Sequence, residues 1–286
     1  MWKGRTVSVD VRFKKNDWAL ILGASSGFGG AAALELARQG MNVFGVHLDR
    51  QATMPNVVRI QKEIKHTGAH AVFYNINAAD SIKRSEILDE IKEQFAGEPA
   101  SSVKVLLHSL AFGTLKPYIG KKDDEAISQA QMEMTMDVMA NSLVYWTQGL
   151  MTRSLMKRGG RIFALTSSGG HTVFPYYGAV SAAKSALQSH IRQLAMELGP
   201  YGITANSIMA GVTDTPALRK IPNSDIMLDI AKRKNPSGRL TTPEDIAKVI
   251  AMMSTEHAAF MSGNIIGVDG GEDVVSFVGQ ITEKGK

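Results

Sequence analysis

Ile21-Leu22-Gly23-Ala24-Ser25-Ser26-Gly27-Phe28-Gly29-Gly30 is the stretch whose reading decides the fold. The apolar run Trp18–Leu22 leads into it as a buried strand, and an apolar-rich helix follows it as far as Gln39. Glycine permits the tight turn between them and lets backbone approach a ligand closely. The helix start then offers unpaired N–H groups and a positive dipole end, which suit a pyrophosphate. A glycine pattern alone says little; strand before and helix after is the context a nucleotide-binding loop needs. Gly23, Ser25, Ser26, Gly27, Phe28 and Gly29 are therefore the expected phosphate-binding residues.

Outward from that loop, short apolar runs alternate with helical spacing. Strands are expected at Asn42–His47, Ala71–Asn75, Val103–His108, Arg161–Leu165, Ile203–Ile208 and Ile265–Val268. Helices are expected at Ser81–Phe95, Tyr177–Leu198 and Pro243–Met253, the last capped by Thr242, with a long helix over Ala126–Lys157 broken near its start. This βαβα rhythm predicts an α/β, Rossmann-type, doubly wound parallel sheet of seven strands with helices on both faces. No repeat or linker divides the chain, so residues 1–286 are expected to form one domain. Residues 216–238 are the one long insertion, and loops at the C-terminal edge of such a sheet cover ligands. We read that segment as a substrate lid. A helical hairpin packed only for structure is the competing reading.

Composition narrows the classes. Of 286 residues 44% are apolar and 21% charged, ordinary for a globular chain, which sets aside disorder and fibrous folds. The absence of cysteine excludes a disulfide scaffold, a thiol nucleophile and an iron–sulfur site. The net charge of +5 is spread over short clusters (Lys14-Lys15, Lys121-Lys122, Lys232-Arg233-Lys234) without interleaved aromatics, so no nucleic-acid partner is expected. Met1–Asp10 has no apolar segment after its early positive charge, and no apolar run approaches a membrane span. A soluble, cytoplasmic protein without membrane association is the expectation.

The spacing Gly-x-x-x-Gly-x-Gly resembles that of the short-chain dehydrogenase/reductase family, and the resemblance runs along nearly the whole chain. Asn75-Ile76 stands where that family contacts adenine after the third strand. His108-Ser109-Leu110-Ala111 occupies the loop after the fourth strand. Ala210-Gly211-Val212-Thr213-Asp214-Thr215 resembles the loop that holds the nicotinamide amide, and Val268-Asp269-Gly270-Gly271 the C-terminal signature. The resemblance implies cofactor contacts from Asn75, Ile76, Ser109, Leu110, Ala111, Gly211, Val212, Thr213 and Thr215. At the end of the second strand a carboxylate suits the ribose 2′-hydroxyl of NADH and a cation suits the 2′-phosphate of NADPH. His47-Leu48-Asp49-Arg50 supplies both. By family spacing the usual aspartate position is His47, which leaves Arg50 for the phosphate and favours NADPH over NADH, although Asp49 argues the other way.

Reduction leaves negative charge on a substrate oxygen, which a hydroxyl donor and a nearby cation must meet. The ordinary family motif is Tyr-x-x-x-Lys. Here Lys184 is present, but the residue four before it is Val180. Tyr177 stands seven before Lys184, two helical turns away and about 10 Å along the axis, so Lys184 is expected to hold the nicotinamide ribose rather than touch the hydroxyl. A shifted acid has a chemical reason. In ketone reduction the charged oxygen is bonded to the carbon that receives hydride. In an α,β-unsaturated thioester the hydride lands on C3 and charge develops two carbons further on.

The six-residue spacer resembles that of the enoyl-acyl-carrier-protein reductases of bacterial fatty acid synthesis. His108-Ser109-Leu110-Ala111-Phe112, Ala210-Gly211 and Pro175-Tyr176-Tyr177 are similar to segments of that subgroup. Asp214–Leu218 with Ile221-Pro222-Asn223 is most similar to its NADPH-dependent type III form. The resemblance implies reduction of the trans-2 double bond of an acyl thioester, carried on acyl carrier protein or coenzyme A. It implies Tyr177 as acid and a homotetramer built through the long helices. It also puts Ser167 where the family places its catalytic serine, as a donor to the substrate carbonyl or a strand-end hydroxyl satisfying backbone. Met139 replaces the family's relay asparagine. Arg219, Lys220, Lys232 and Arg233 are candidates to meet an acidic carrier. His108 and His171 are read as structural, and no metal is expected. Another enone or dienoyl-coenzyme A reductase and a non-catalytic cofactor-binding regulator are the competing functions.

Overall fold

The computed structural model describes residues 13–122 and 124–276; the Met1–Asp10 stretch read above for a leader lies outside them. Seven parallel strands run in the order β3-β2-β1-β4-β5-β6-β7. They are β1 Asp17–Leu22, β2 Asn42–His47, β3 Ala71–Asn75, β4 Ser102–His108, β5 Arg161–Ser167, β6 Thr204–Ala210 and β7 Ile265–Val268. The doubly wound sheet expected from the βαβα rhythm is thus present. Order reverses at β1, so the C-terminal ends of β1 and β4 part and open a crevice.

Strand alternation builds two cores. Trp18, Leu20, Leu22 and Leu106 face one side, packing with Leu143, Trp146, Leu187 and Ile191. Ala19, Ile21, Val105 and Leu107 face the other, packing with Ala33, Leu36, Ile246 and Ile250. The first set of helical residues lies on α5 Ser142–Thr152 and α6 Gly178–Leu198, and the second on α1 Gly27–Arg38 and α8 Pro243–Met253. The remaining helices are α2 Met54–His66, α3 Ser81–Ala96, α4 Gln129–Met136 and α7 Ser224–Lys234.

Three elements differ from the sequence expectation. Helix α2 was not anticipated, although Val57, Ile60 and Ile64 are its buried face at helical spacing. The long helix over Ala126–Lys157 is three pieces: α4 opens on a Ser128–Gln131 capping box, a π turn spans Asp137–Asn141, and α5 ends at Thr152. Ser154 then takes a left-handed conformation (φ 56°) that stops the helix and turns Leu155 and Met156 inward. The 216–238 segment, read as a lid with a helical hairpin as the alternative, contains helix α7. Strand β5 also runs two residues further than expected, which places Ser167 at its end.

Trp146 is fully buried, and its indole N–H donates to the Ala78 carbonyl at 2.8 Å. Trp146→Ala removes that donor and opens a cavity, so urea unfolding should report a loss of about 3–5 kcal/mol.

Candidate active site

The glycine loop is set by contacts only glycine allows. Gly23 has φ +92°, and a Cβ there would lie 2.3 Å from the Ser109 carbonyl oxygen. A Cβ on Gly29 would lie 2.1 Å from the Gly23 carbonyl oxygen. Ser26 is the N-cap of α1 in extended conformation, its side chain caps nothing, and no acidic residue occupies the first turn. The N–H groups at this helix start are therefore free for an anion. These residues fit the dinucleotide that the sequence expects.

At the end of β2, His47 is buried and its Nδ1 lies 3.0 Å from Asp49 Oδ2. Burial lowers the His47 pKa, which the neighbouring Asp49 only partly offsets. Burial would raise the Asp49 carboxyl, but Thr53, Ser25 and His47 outweigh it and hold the group below its ordinary value. The contact with Ser25 places this carboxylate beside the glycine loop. Asn75 clamps the same turn: its Oδ1 accepts from the Asp49 N–H at 2.9 Å and its Nδ2 donates to the Asp49 carbonyl at 3.0 Å. Ile76 N–H donates to the His47 carbonyl at 2.8 Å. Arg50 is exposed.

A cleft of about 180 Å³ opens above the strand ends. Of the expected residues, Phe28, Ser109, Leu110, Ala111, Ser167, Tyr177, Lys184, Gly211, Val212, Thr213 and Thr215 line it. Lys184 comes from α6, is buried, and its Nζ donates to the Leu165 carbonyl at 2.6 Å. Burial pushes its pKa down to about 8. Tyr177 is not within the helix as expected but is the N-cap of α6 (φ −97°, ψ 3°). Its ring meets Phe174 edge-on at 5.9 Å and lies against Gly169, where a Cβ would approach Tyr177 Cε1 to 2.6 Å. Burial raises the Tyr177 pKa and the Ser167 hydroxyl partly offsets this, so the phenol stays protonated at neutral pH. Ser167 Oγ is buried near that hydroxyl but makes no hydrogen bond of full geometry to any described residue. Tyr176 precedes the helix, is exposed, and takes a left-handed conformation (φ 64°).

The position of the ordinary family tyrosine is hydrocarbon. Val180 lines the cleft, and a Cβ on Gly113 would meet both the Val180 and Met139 side chains at 2.8 Å. Gly113, Leu115, Met139, Phe174 and Val180 complete the wall without having been expected in it. Of these, Met139 and Val180 had been noted only for what they replace. From the 216–238 segment, Ala217, Leu218, Ile221 and Met227 add apolar surface, and Lys220 stands among them. Arg219 is held by Asp214 and Asp225, and Arg233 by Asp229, so two of the four expected carrier-facing cations are paired.

The two histidines are structural. His108 is fully buried with its Nε2 2.9 Å from Ser142 Oγ, which itself donates to the Val138 carbonyl. Its Nε2 is therefore the donor, and burial, with Lys184 nearby, lowers its pKa to about 3. His171 pairs with Asp273 at 3.0 Å. Among the described residues no group of three or more His, Asp or Glu side chains is placed to hold a metal.

A family model described as enoyl-(acyl carrier protein) reductase matches residues 23–272. The chain belongs to the short-chain dehydrogenase/reductase family. Its relatives there are varied. It is 28% identical over 273 residues to cyclohexanol dehydrogenase of a Rhodococcus species, covering 88% of this chain and 94% of that one. It is 28% identical over 192 residues to the enoyl-[acyl-carrier-protein] reductase [NADH] of Aquifex aeolicus, covering 67% of this chain and 70% of that one. The crystal structure of the enoyl-acyl-carrier-protein reductase of Anaplasma phagocytophilum with NAD superposes with a TM-score of 0.77 at 21% identity, covering 94% and 96%. The protein is accordingly an oxidoreductase that binds a pyridine nucleotide. Among the described residues no helix of this short-chain dehydrogenase/reductase is long and apolar enough to cross a membrane.

Lys184 gives a pH signature. Its folded pKa lies below the ordinary lysine value, so the unfolded chain binds this proton more tightly and stability rises from about pH 8 upward. Lys184→Met should raise the stability of dinucleotide-free protein at pH 7, by up to roughly 3 kcal/mol, and flatten that rise. Dinucleotide affinity of the wild type should fall above pH 8, read by titration calorimetry.

Proposed function

We propose that the protein reduces the trans-2 double bond of an acyl thioester, carried on acyl carrier protein or coenzyme A, as in fatty acid synthesis. The observation that carries this reading is the displaced acid. Tyr177 is the one tyrosine among the described residues lining the cleft, while Val180 and Met139 fill the position from which a ketone's oxygen would be protonated. A bound dinucleotide would supply the hydride for C3. Gly23, Gly29 and the start of α1 would hold its pyrophosphate, the Lys184 ammonium its nicotinamide ribose, and the Gly211–Thr215 segment its nicotinamide. As charge develops on the thioester oxygen, the Tyr177 hydroxyl donates its proton there, and Ser167, buried beside it, offers a second hydrogen bond to the same oxygen. The resulting enol returns to the saturated thioester as C2 takes a proton and the oxygen gives one up, and solvent restores the proton of Tyr177. Ala217, Leu218, Ile221 and Met227 would form the lid over the acyl chain, and Lys220, at the cleft, and Lys232 are the cations of that group left to meet an anionic carrier.

The cofactor in this reading is NADH. The sequence favoured NADPH because Arg50 was free to take a phosphate. The placement of Asp49 supports the opposite choice: an ionised carboxylate held between His47 and the glycine loop accepts from a ribose hydroxyl and repels a 2′-phosphate. The printed cofactor of the Aquifex relative agrees. Assembly as a homotetramer through α4–α6 belongs to the same proposal and is read by light scattering.

Two experiments test it. Purified protein should oxidise NADH with crotonyl thioester and not with acetoacetyl thioester, and Tyr177→Phe should lower kcat by about 10²–10⁴-fold. Turnover of acetoacetyl thioester with Tyr177→Phe unaffected would contradict the displaced acid. Asp49→Ala should narrow the preference for NADH over NADPH by at least tenfold in kcat/KM; an unchanged preference would return the choice to Arg50.

A further inference from the structure

Glu272 is a buried carboxylate that the reaction described above does not use. It sits in the turn after β7, which Asp269 shapes by accepting from the Gly271 N–H at 3.0 Å and the Asp273 N–H at 2.8 Å. Both Glu272 oxygens lie 3.3 Å from the backbone nitrogen of Val212, which donates to them. Val212 lines the cleft between Gly211 and Thr213. The same turn reaches two other walls of the site. Asp273 pairs with His171 on the segment between Ser167 and Tyr177, and the Asp269 carbonyl accepts from Asn235, just beyond α7, at 2.7 Å.

We infer that Glu272 is a positioning residue for the cofactor: its carboxylate fixes the Val212 backbone and thereby the Gly211–Thr215 segment that receives the nicotinamide. A neutral apolar side chain would fill the space more cheaply, because a buried carboxylate needs compensating donors. Among the described residues its one donor is the N–H of the segment it fixes, and the long, shared contact means that small shifts of that segment are felt directly. Burial raises the Glu272 pKa, with Asp269 and Asp273 adding to it and Lys234 at the end of α7 opposing it. Protonation weakens the acceptor, so the segment loosens as the pH falls through that raised value.

The inference rests on the cofactor reading, and dinucleotide binding measured without substrate separates the two. Isothermal titration with NADH and NADPH across pH 5–8 would compare wild type, Glu272→Gln, Glu272→Leu and Asp273→Asn. Glu272→Leu should weaken dinucleotide binding about tenfold, the cost of one hydrogen bond to a charged group, and raise the cofactor KM while leaving the thioester KM within twofold. Glu272→Gln keeps an acceptor oxygen, so it should bind nearly as wild type at pH 7 but lose the decline in affinity that the wild type shows towards pH 5. Asp273→Asn should keep that decline. Wild-type affinity in Glu272→Leu, or an acid decline retained in Glu272→Gln, would overturn the inference. The Gln variant keeps it testable if the Leu variant does not fold. A wild type that binds neither dinucleotide would overturn the cofactor reading itself, and this inference with it.

Discussion

The contact on which the site depends is between backbones at the end of β1. Gly23 comes so close to the Ser109 carbonyl, and Gly29 to the Gly23 carbonyl, that no side chain fits at either place. This draws the start of α1 down onto the strand ends and puts its free N–H groups beside the crevice where the strand order reverses. Because all seven strands are parallel, every loop that leaves a C-terminal end arrives at the same edge. Ser109 from β4, Ser167 from β5 and Val212 after β6 meet there without sequence proximity.

The second constraint is electrostatic. Lys184 is a buried ammonium that donates to one carbonyl of β5, and burial depresses its pKa. Its neighbour His108 is kept neutral by the same burial and adds no second charge beside the ammonium. Tyr177 is shifted in the other direction and keeps its proton. Lys184 and Tyr177 are thus shifted in opposite directions by burial, and Gly169 leaves room for the tyrosine ring to rest against it.

Most of the sheet was legible because its strands read as short apolar runs; β2, buried throughout, and the less buried edge strands β3 and β7 match their expected limits to the residue. Helix α2 escaped because its buried face is only Val57, Ile60 and Ile64 among polar residues. The π turn at Asp137–Asn141 adds no residue type that a spacing pattern registers, yet it is where Met139 enters the cleft. Tyr177 and Lys184 were found from spacing, but the placement of Tyr177 ahead of the helix was not, since the left-handed Tyr176 leaves no trace in composition. Asp49 was visible in the sequence, but that its carboxylate lies 3.0 Å from the His47 ring is seen only in the fold. Glu272 had no signal at all, because its partner is a backbone N–H some sixty residues away.

Where the hydride lands decides the account, since the displaced acid is meaningful only if charge and hydride are separated by two carbons. The direct measurement uses dinucleotide deuterated at the transferring position, crotonyl thioester, and mass or NMR analysis of the product. The account predicts butyryl thioester with one deuterium at C3. An unlabelled crotonyl thioester, with deuterium instead on the carbinol carbon of a 3-hydroxy product from acetoacetyl thioester, would contradict it.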